Sequence, residues 1–446
     1  MQNRAVAHCV IKNTMSGKKE KVVFEPGQQV NVYVCGITPY DYAHLGHGRC
    51  NVTFDVLIRF LKELGTSVHY CRNYTDIDDK LMMRAERELG SENRYVEIAD
   101  RFIAAFSEDI AALGCLTPDY QPRVTQEIPD IINSVRVLID RGYAYVVDGD
   151  VYFSVDSFDG YGQLSKRDVN DLEVGARVAV SDKKRNPLDF AVWKSEDEGT
   201  FWESPWGWGR PGWHIECSVM AYKHLGEVID IHGGGMDLIF PHHENERAQS
   251  CAMLGVDPVR IWMHNAFVQI NNEKMSKSLG NFFTLRDLYQ KYDPMVLRYI
   301  FLMHHYRSPI DFSFDLCDMA KTTYERLVRM LGDIDAQRPV NFEGPYMQRM
   351  MEFMLDDLNT VGMLGVVFDA LKDTDTTERA HIKWFLQNIC GLALIKQPLV
   401  ELELSAEIKE LIDQRVAARA VKDWKKSDEL RDKLAALGHK VQDKKL

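Results

Sequence analysis

No apolar run in this chain reaches the roughly 18 residues needed to cross a bilayer as a helix, so no membrane partner is expected. The opening stretch, MQNRAVAHCVIKNTMSGKKEKVVF, lacks a long apolar core followed by a small-residue cleavage site, and a secretory signal is not expected. Nine cysteines, at 9, 35, 50, 71, 115, 217, 251, 317 and 390, are odd in number and widely spaced, with no C-x-x-C pair. This excludes a dense disulfide scaffold and points to a reducing, cytoplasmic setting in which most Cys are small packing residues. A metal site would have to be assembled from distant parts of the chain. Glycine (29) and proline (15) are too sparse for a collagen or linker protein. Basic residues are outnumbered 54 to 66, for a formal charge of -12. That argues against a broadly cationic nucleic-acid binder but not against a local basic patch. What is present, 45% hydrophobic and 27% charged residues over 446 positions, is globular and long enough for two to four domains.

Val30, Val32 and Val34 alternate with other side chains and predict a strand. It leads into the turn CGITPY, then HLGHGR, then a helix with Val52, Val56, Phe60 and Leu64 on one face and Gly65 as its stop. SVHYCRNYTDIDDK predicts a second strand ending in a polar loop. This strand–helix–strand order implies a mostly parallel α/β sheet, with ligands at the carboxyl ends of its strands, where Cys35 and Thr75–Asp78 lie. Helices are expected over 78–114 and 123–142. About 143–205 reads as an insertion of short strands. From 206 the α/β texture returns: PGWHIECSVMAYKHLG enters a helix, and VIDIHGGGMDLIF is a strand running into a triple-glycine turn. PHHENERAQSCAMLG is a helix led by Pro241, RIWMHNAFVQI a strand, and NNEKMSKSLGN a polar basic loop. Helices are then expected over 316–335, 344–370, 378–395 and 405–437. Residues 415–446 hold ten Lys or Arg against five Asp or Glu, a local charge of +5 that suits an anionic partner.

Two short motifs carry chemistry. HLGH at 44–47 sets two imidazoles three apart beside Gly46, where they can donate to phosphate oxygens. KMSKS at 274–278 puts two ammonium groups and two hydroxyls on a loop that can close over a polyphosphate. TDIDD at 75–79 lacks the spacing of an EF-hand and is expected to contact substrate rather than Ca²⁺.

In this order the two motifs resemble the signatures of class I aminoacyl-tRNA synthetases, with Leu45 where Ile is commoner. YVCGITPYD, HLGHGR, RNYTDIDDK, GRPGWHIECS, DIHGGGMD, FPHHENE and KMSKSLGNFF resemble the cysteinyl-tRNA synthetase family over nearly all of 30–310, and less sharply to the end. The resemblance implies a Rossmann-like parallel-sheet catalytic domain in two halves, 1–130 and 206–310, split by an α+β insertion at 131–205. A stem-contact region, 311–345, and a helical tRNA- and anticodon-binding domain, 346–446, would follow. The chain stops at KVQDKKL without the acidic-glycine turn and Trp-Arg strand common in the family, so that domain is expected to be shortened at its end.

The resemblance also implies one zinc ion held by Cys35, Cys217, His242 and Glu246, all legitimate zinc donors. His242 and Glu246 are i,i+4 on a helix face, although by spacing alone His243 would serve as well as His242. Thr75, Trp213 and His232 are implied for the cysteine pocket, and Gly36, Thr38, Gly46, His47, Gly233, Gly234, Gly235, Asp237 and Lys277 for ATP. His44, His47, Lys274 and Lys277 would stabilise phosphate charge, with Mg²⁺ accompanying ATP. The implied reaction is ATP-dependent ligation of L-cysteine to tRNA-Cys by a monomer, through cysteinyl-adenylate, with zinc selecting the thiolate over serine. Lys422, Lys425, Lys426 and Arg431 are candidate phosphate contacts, and Trp424 would stack or pack. Two other readings are a cysteine ligase of the mycothiol pathway, which uses an amino-sugar acceptor, and a non-catalytic RNA-binding paralogue. The basic helical end argues against the first. Both signatures and a full ligand set argue against the second.

Overall fold

The computed structural model describes residues 7–167, 183–270, 273–274, 282–340, 342–373 and 375–395, then 410–411, 414–415, 417–418 and 423–436. The chain divides into two compact units, Met1–Leu394 and Ile395–Leu446. Among the described residues no helix is long and apolar enough to cross a membrane.

A hairpin of β1 (Ala7–Asn13) and β2 (Lys18–Phe24) precedes β3 (Gln29–Ile37), α1 (Leu45–Glu63) and β4 (Ser67–Tyr74). Helices α2 (Asp79–Leu89), α3 (Tyr95–Ala112) and α4 (Ile128–Asp140) follow. Strands β5 (Ala144–Val147), β6 (Asp150–Phe153), β7 (Phe190–Ser195), β8 (Trp202–Ser204) and β9 (Gly207–Pro211) form a separate five-stranded sheet, all of whose pairs are antiparallel. The chain then returns through α5 (Trp213–Leu225), β10 (Ile229–Gly235), α6 (Glu244–Leu254) and β11 (Val259–Asn265). Strands β3, β4, β10 and β11 make one parallel sheet in the order β11-β10-β3-β4. The first half of the chain runs outward from β3 in one direction and the second half from β10 in the other. The crevice between their carboxyl ends is therefore a topological switch point.

Strand parity decides what faces the crevice. Val30, Val32 and Val34 of β3 join the core under α1, with Phe54, Leu57 and Leu61. Tyr33 and Cys35 fall on the opposite face, with Cys71 of β4 and with Ile215, Cys217 and Val219 of α5. Period-two alternation thus sends the Cys35 thiol towards the side covered by α5 and α6.

Beyond β11 come β12 (Val268–Ile270), β13 (Glu273–Lys274), α7 (Leu285–Tyr289), α8 (Pro294–Leu302) and β14 (Ile310–Asp311). They are followed by α9 (Phe314–Leu331), α10 (Pro345–Leu355), α11 (Thr360–Asp373) and α12 (Thr376–Asn388). In the second unit α13 spans Trp424–Ala436, and Trp424, which the sequence reading left between stacking and packing, is 54% exposed.

Several sequence expectations differ from the structure. RIWMHNAFVQI, expected as one strand, is two, β11 and β12, in different sheets, because the chain breaks at Ala266–Phe267. The antiparallel sheet of the insertion runs past 205 to β9, which pairs with β7 and β8. The helix expected over 344–370 is two helices, broken where Asp357 and Leu358 adopt positive φ (63° and 50°). Asp357 is turned inwards there to accept from the Tyr306 hydroxyl and the Lys12 backbone N–H, at 2.6 and 2.9 Å, and this anchoring outweighs helix periodicity. The three glycines of DIHGGGMD belong to β10 itself, and the turn follows at Met236–Leu238. Pro241 does not open a helix. Phe240 before it is extended (φ -138°, ψ 132°), Ile239–His243 form a single wide turn, and α6 begins at Glu244.

Candidate active site and metal centre

The cleft at the switch point has two lobes. One, of about 220 Å³, is lined by Gly36, His44, Gly46, His47, Gly235, Asp237 and Asn265, among others. The second, of about 410 Å³, is lined by Thr38, Thr75, Lys80, Trp213, Cys217 and His242. Cys35, Gly36, His44, His47 and Asp237 border both, so the lobes are continuous.

The first lobe is built on the N-terminus of α1. His44 is the N-cap, and its Nδ1 accepts from the backbone N–H of Gly46 (3.0 Å) and of His47 (3.4 Å). His47 returns the bond, its Nδ1 accepting from His44 N–H at 3.3 Å. This is a capping box in which two imidazoles replace the usual Ser/Thr and Glu/Gln. Because both Nδ1 atoms accept, the neutral tautomer carries its proton on Nε2 in each ring. Burial, and then the neighbouring His44, hold the His47 pKa well below that of ordinary histidine, so it donates as a neutral group. The helix N-terminus adds its own positive potential. A Cβ on Gly46 would come within 2.9 Å of the His44 ring.

Only the first residue and the flanks of the KMSKS motif are described, and the residues after it lie beside this lobe. Its first residue, Lys274, ends β13 and pairs with Gln269 of β12. After it, Thr284 bridges to His44 and the Phe282 ring meets the His44 ring edge-on at 5.5 Å. Residues 275–281, with Lys277, lie outside the described residues, as do Lys422 and residues 437–446 of the basic C-terminal run.

The second lobe ends on a cluster of metal-binding groups. One donor atom each from Cys35, Cys217, His242 and Glu246 lie within 4.8 Å of one another, all buried. Cys35 Sγ is 3.2 Å from Glu246 Oε1, and His242 Nε2 is 2.9 Å from the same oxygen. Cys35, His232, His243 and Glu246 satisfy the same criterion. The two sets differ in access: Cys35, Cys217 and His242 line the lobe, whereas neither His232 nor His243 lines either lobe. His243 is fully buried and committed through Nδ1 to His264 Nε2 at 2.7 Å, and His264 to Thr14 Oγ1 at 2.7 Å. The electrostatics suit a cation. The neighbouring Cys35 thiol, then the charge on His242, bring Cys217 down to about 6 against the effect of burial. Burial lowers His242, but Glu246 and Cys217 outweigh it and lift the ring to about 10. Two thiols, an imidazole and a carboxylate crowded in a buried site are a donor set that zinc fits.

Of the sequence-predicted residues, Thr38, Thr75 and Trp213 line the second lobe. Trp213 stacks on His242 with ring centroids 4.2 Å apart and 27° between planes. Gly36 meets Asn73 so closely that a Cβ would lie 1.6 Å from the Asn73 carbonyl oxygen. Gly235 and Asp237 line the first lobe, whereas Gly233 packs on the Phe54 ring and Gly234 on His243 and Leu238. His232 sits behind Cys35, 3.6 Å from its sulfur. Sequence reasoning missed Asn73, Glu216, His214 and His264. Asn73 Oδ1 accepts from Gly36 N–H at 2.8 Å, Glu216 accepts from Thr75, and His214 Nδ1 is 2.9 Å from His242 Nδ1. The available signal was adjacency: Glu216 stands beside Cys217 and His214 beside Trp213 in the first turn of α5, and Asn73 lies two residues before Thr75.

The sheet order, the cleft at its switch point and the HLGH cap define the catalytic domain of a class I aminoacyl-tRNA synthetase. Residues 22–322 match the model for the tRNA synthetases class I (C) catalytic domain, and residues 402–446 that for the cysteinyl-tRNA ligase anticodon binding domain. The chain is 45% identical to the cysteine–tRNA ligase of Geobacter metallireducens, with 96% of each chain covered. It is 46% identical to that of Nitratidesulfovibrio vulgaris, with 97% of each covered. It belongs to the cysteinyl-tRNA synthetase family. A more distant likeness, of fold alone, is to Mycobacterium tuberculosis methionyl-tRNA synthetase, with TM-score 0.56 and 15% identity over 82% of this chain and 89% of that one.

Proposed function

We propose that the chain ligates L-cysteine to tRNA-Cys in two steps, with ATP in the first lobe and cysteine in the second. The observation that carries this reading is the continuity of the two lobes. A metal-binding set with two thiols closes one end, and a phosphate-ready helix N-terminus closes the other. The family membership supports the same activity.

Cys35, Cys217, His242 and Glu246 are assigned as zinc ligands because three of them border the lobe where a substrate thiol would sit. Zinc bound there supplies a soft Lewis acid that favours a thiolate over the serine hydroxyl. Size alone separates near-isosteres by only about 10–200-fold. Thr75 and Trp213 orient the amino acid, and Gly36 and Thr38 border it. The cysteine carboxylate attacks the α-phosphorus of ATP, releasing pyrophosphate. His44 and His47 donate Nε2–H bonds to the phosphate oxygens as charge develops, and Lys274 and Lys277 neutralise the leaving pyrophosphate together with Mg²⁺. Gly235 and Asp237 flank the nucleotide at the end of β10. The terminal 2′-hydroxyl of tRNA then attacks the acyl carbonyl and AMP leaves. No protein nucleophile is needed, so positioning and electrostatics carry the reaction. Lys425, Lys426 and Arg431 on or beside α13 are assigned to tRNA phosphates.

Cysteine-dependent exchange of pyrophosphate into ATP tests the first step, and charging of tRNA-Cys the second. Exchange without charging, or charging of serine at comparable efficiency, would sink this reading.

A further inference from the structure

The donor and acceptor roles around Thr75 are set by its neighbours. Gly36 N–H donates to Asn73 Oδ1 at 2.8 Å. That bond orients the Asn73 amide, because its nitrogen in the same place would face another donor. Asn73 Nδ2 is thereby aimed at Thr75 Oγ1, to which it donates at 3.3 Å. Thr75 Oγ1 in turn donates to Glu216 Oε2 at 3.1 Å. A hydroxyl has one proton and two lone pairs. The proton and one lone pair are committed, so Thr75 offers only an acceptor to anything in the second lobe, which it lines. Glu216, 2% exposed, stands behind it and lines neither lobe. Neither of the two metal-capable sets uses this buried carboxyl group.

We propose that Glu216 is a positioning residue for the α-ammonium of the amino-acid substrate. By taking the Thr75 proton it keeps Thr75 Oγ1 an acceptor towards the lobe, and Asn73 enforces the same polarity from the other side. The inference rests on the second lobe being the cysteine site. In that lobe the substrate's one strong donor apart from its thiol is the α-ammonium, so the acceptor selects for a free amino group. Thiols without one, such as 3-mercaptopropionate, leave Thr75 unpartnered and bind poorly.

The experiment is pyrophosphate exchange with Thr75→Val, Glu216→Met, Glu216→Gln and the double variant Thr75→Val/Glu216→Met, with zinc content measured on each protein. Glu216→Met has no acceptor, and its KM for cysteine is expected to rise roughly 10-fold or more, the loss of one hydrogen bond to a charged group. KM for ATP and zinc content should hold. Glu216→Gln keeps one acceptor oxygen and should show a smaller rise of about threefold, which remains readable if the Met variant does not fold. The double variant should be no worse than Thr75→Val alone, because Glu216 acts through Thr75. An unchanged KM for cysteine, additive effects in the double variant, or loss of zinc on changing Glu216 would each overturn the assignment. If the unaltered protein shows no cysteine-dependent exchange, the reading of the lobe fails, and not only the role of Glu216.

Discussion

His44 and His47 cap one another at the start of α1, their rings stacked 3.7 Å apart and 17° from parallel while each Nδ1 accepts a backbone N–H from the other's turn. With Nδ1 accepting in both rings, each neutral imidazole carries its proton on Nε2, the atom proposed to donate to phosphate. Structure and catalysis can be separated here, because Asn is a good N-cap but carries no imidazole. His44→Asn is expected to change stability by less than about 1 kcal/mol while lowering the exchange rate roughly 100-fold or more. Denaturant unfolding and exchange kinetics on one preparation check both.

His47 gives a pH signature. Its folded pKa lies well below the ordinary 6.5, through burial and then His44. Between the two values the unfolded chain binds a proton that the folded chain does not, so this group makes stability rise with pH and fall as pH drops below about 6.5. Gln at this position keeps the reciprocal cap. Between pH 6.5 and 5, His47→Gln is expected to show a shallower fall in unfolding free energy than the unaltered protein, by up to about one proton's worth of slope. Equal slopes would place the His47 pKa near that of free histidine.

Cys217→Ser is expected to bind zinc well below one ion per chain and to lose most of its preference for cysteine over serine. Elemental analysis and exchange with each amino acid are the measurements. His242→Gln should behave alike, whereas His232→Gln should retain the metal, since His232 lies off the lobe. The reverse order would assign the ion to the second set of donors.

Gly36→Ala tests the joint between β3 and β4. A Cβ there would lie 1.6 Å from the Asn73 carbonyl oxygen, and backbone cannot yield as a flexible side chain would. The strand ends must part, which moves Cys35 and Thr75 together. A destabilisation of roughly 1–3 kcal/mol and a loss of cysteine-dependent exchange are expected, read by thermal unfolding and by KM for cysteine.

Deep in the first unit, Arg298 pairs with Asp55 and also donates to the carbonyls of Cys390 and Leu113, at 2.7 and 2.8 Å. Both charged residues are buried. Arg298→Met strands the Asp55 charge beside Arg59 alone and should cost about 3–5 kcal/mol in denaturant unfolding. A loss near zero would mean that Arg59 suffices.

Much of the framework could be read from residue order. Alternation in β3, the apolar face of α1, and the stop at Gly65 each follow from local periodicity, and the parallel sheet from strand–helix–strand order. The double cap could not be read, because histidine is not a usual capping residue and its role depends on which ring nitrogen meets which backbone N–H. The break in the helix expected over 344–370 was equally hidden, since Asp357 is held by Lys12, 345 positions away.

The sequence by itself determined the family, the two signature motifs and the chemical types in the cleft, because those depend on residue identity and on spacing within a few turns of chain. Tertiary structure decided which of them meet. Nothing in the spacing separates His242 from His243, whereas in space His243 is buried against His264 and His242 lines the lobe. Nothing in RNYT or WHIECS joins Asn73, Thr75 and Glu216, which touch only because a parallel sheet brings the end of β4 against the start of α5. Hydrogen-bond polarity is a property of neighbours in space, and here the neighbours are 141 residues apart.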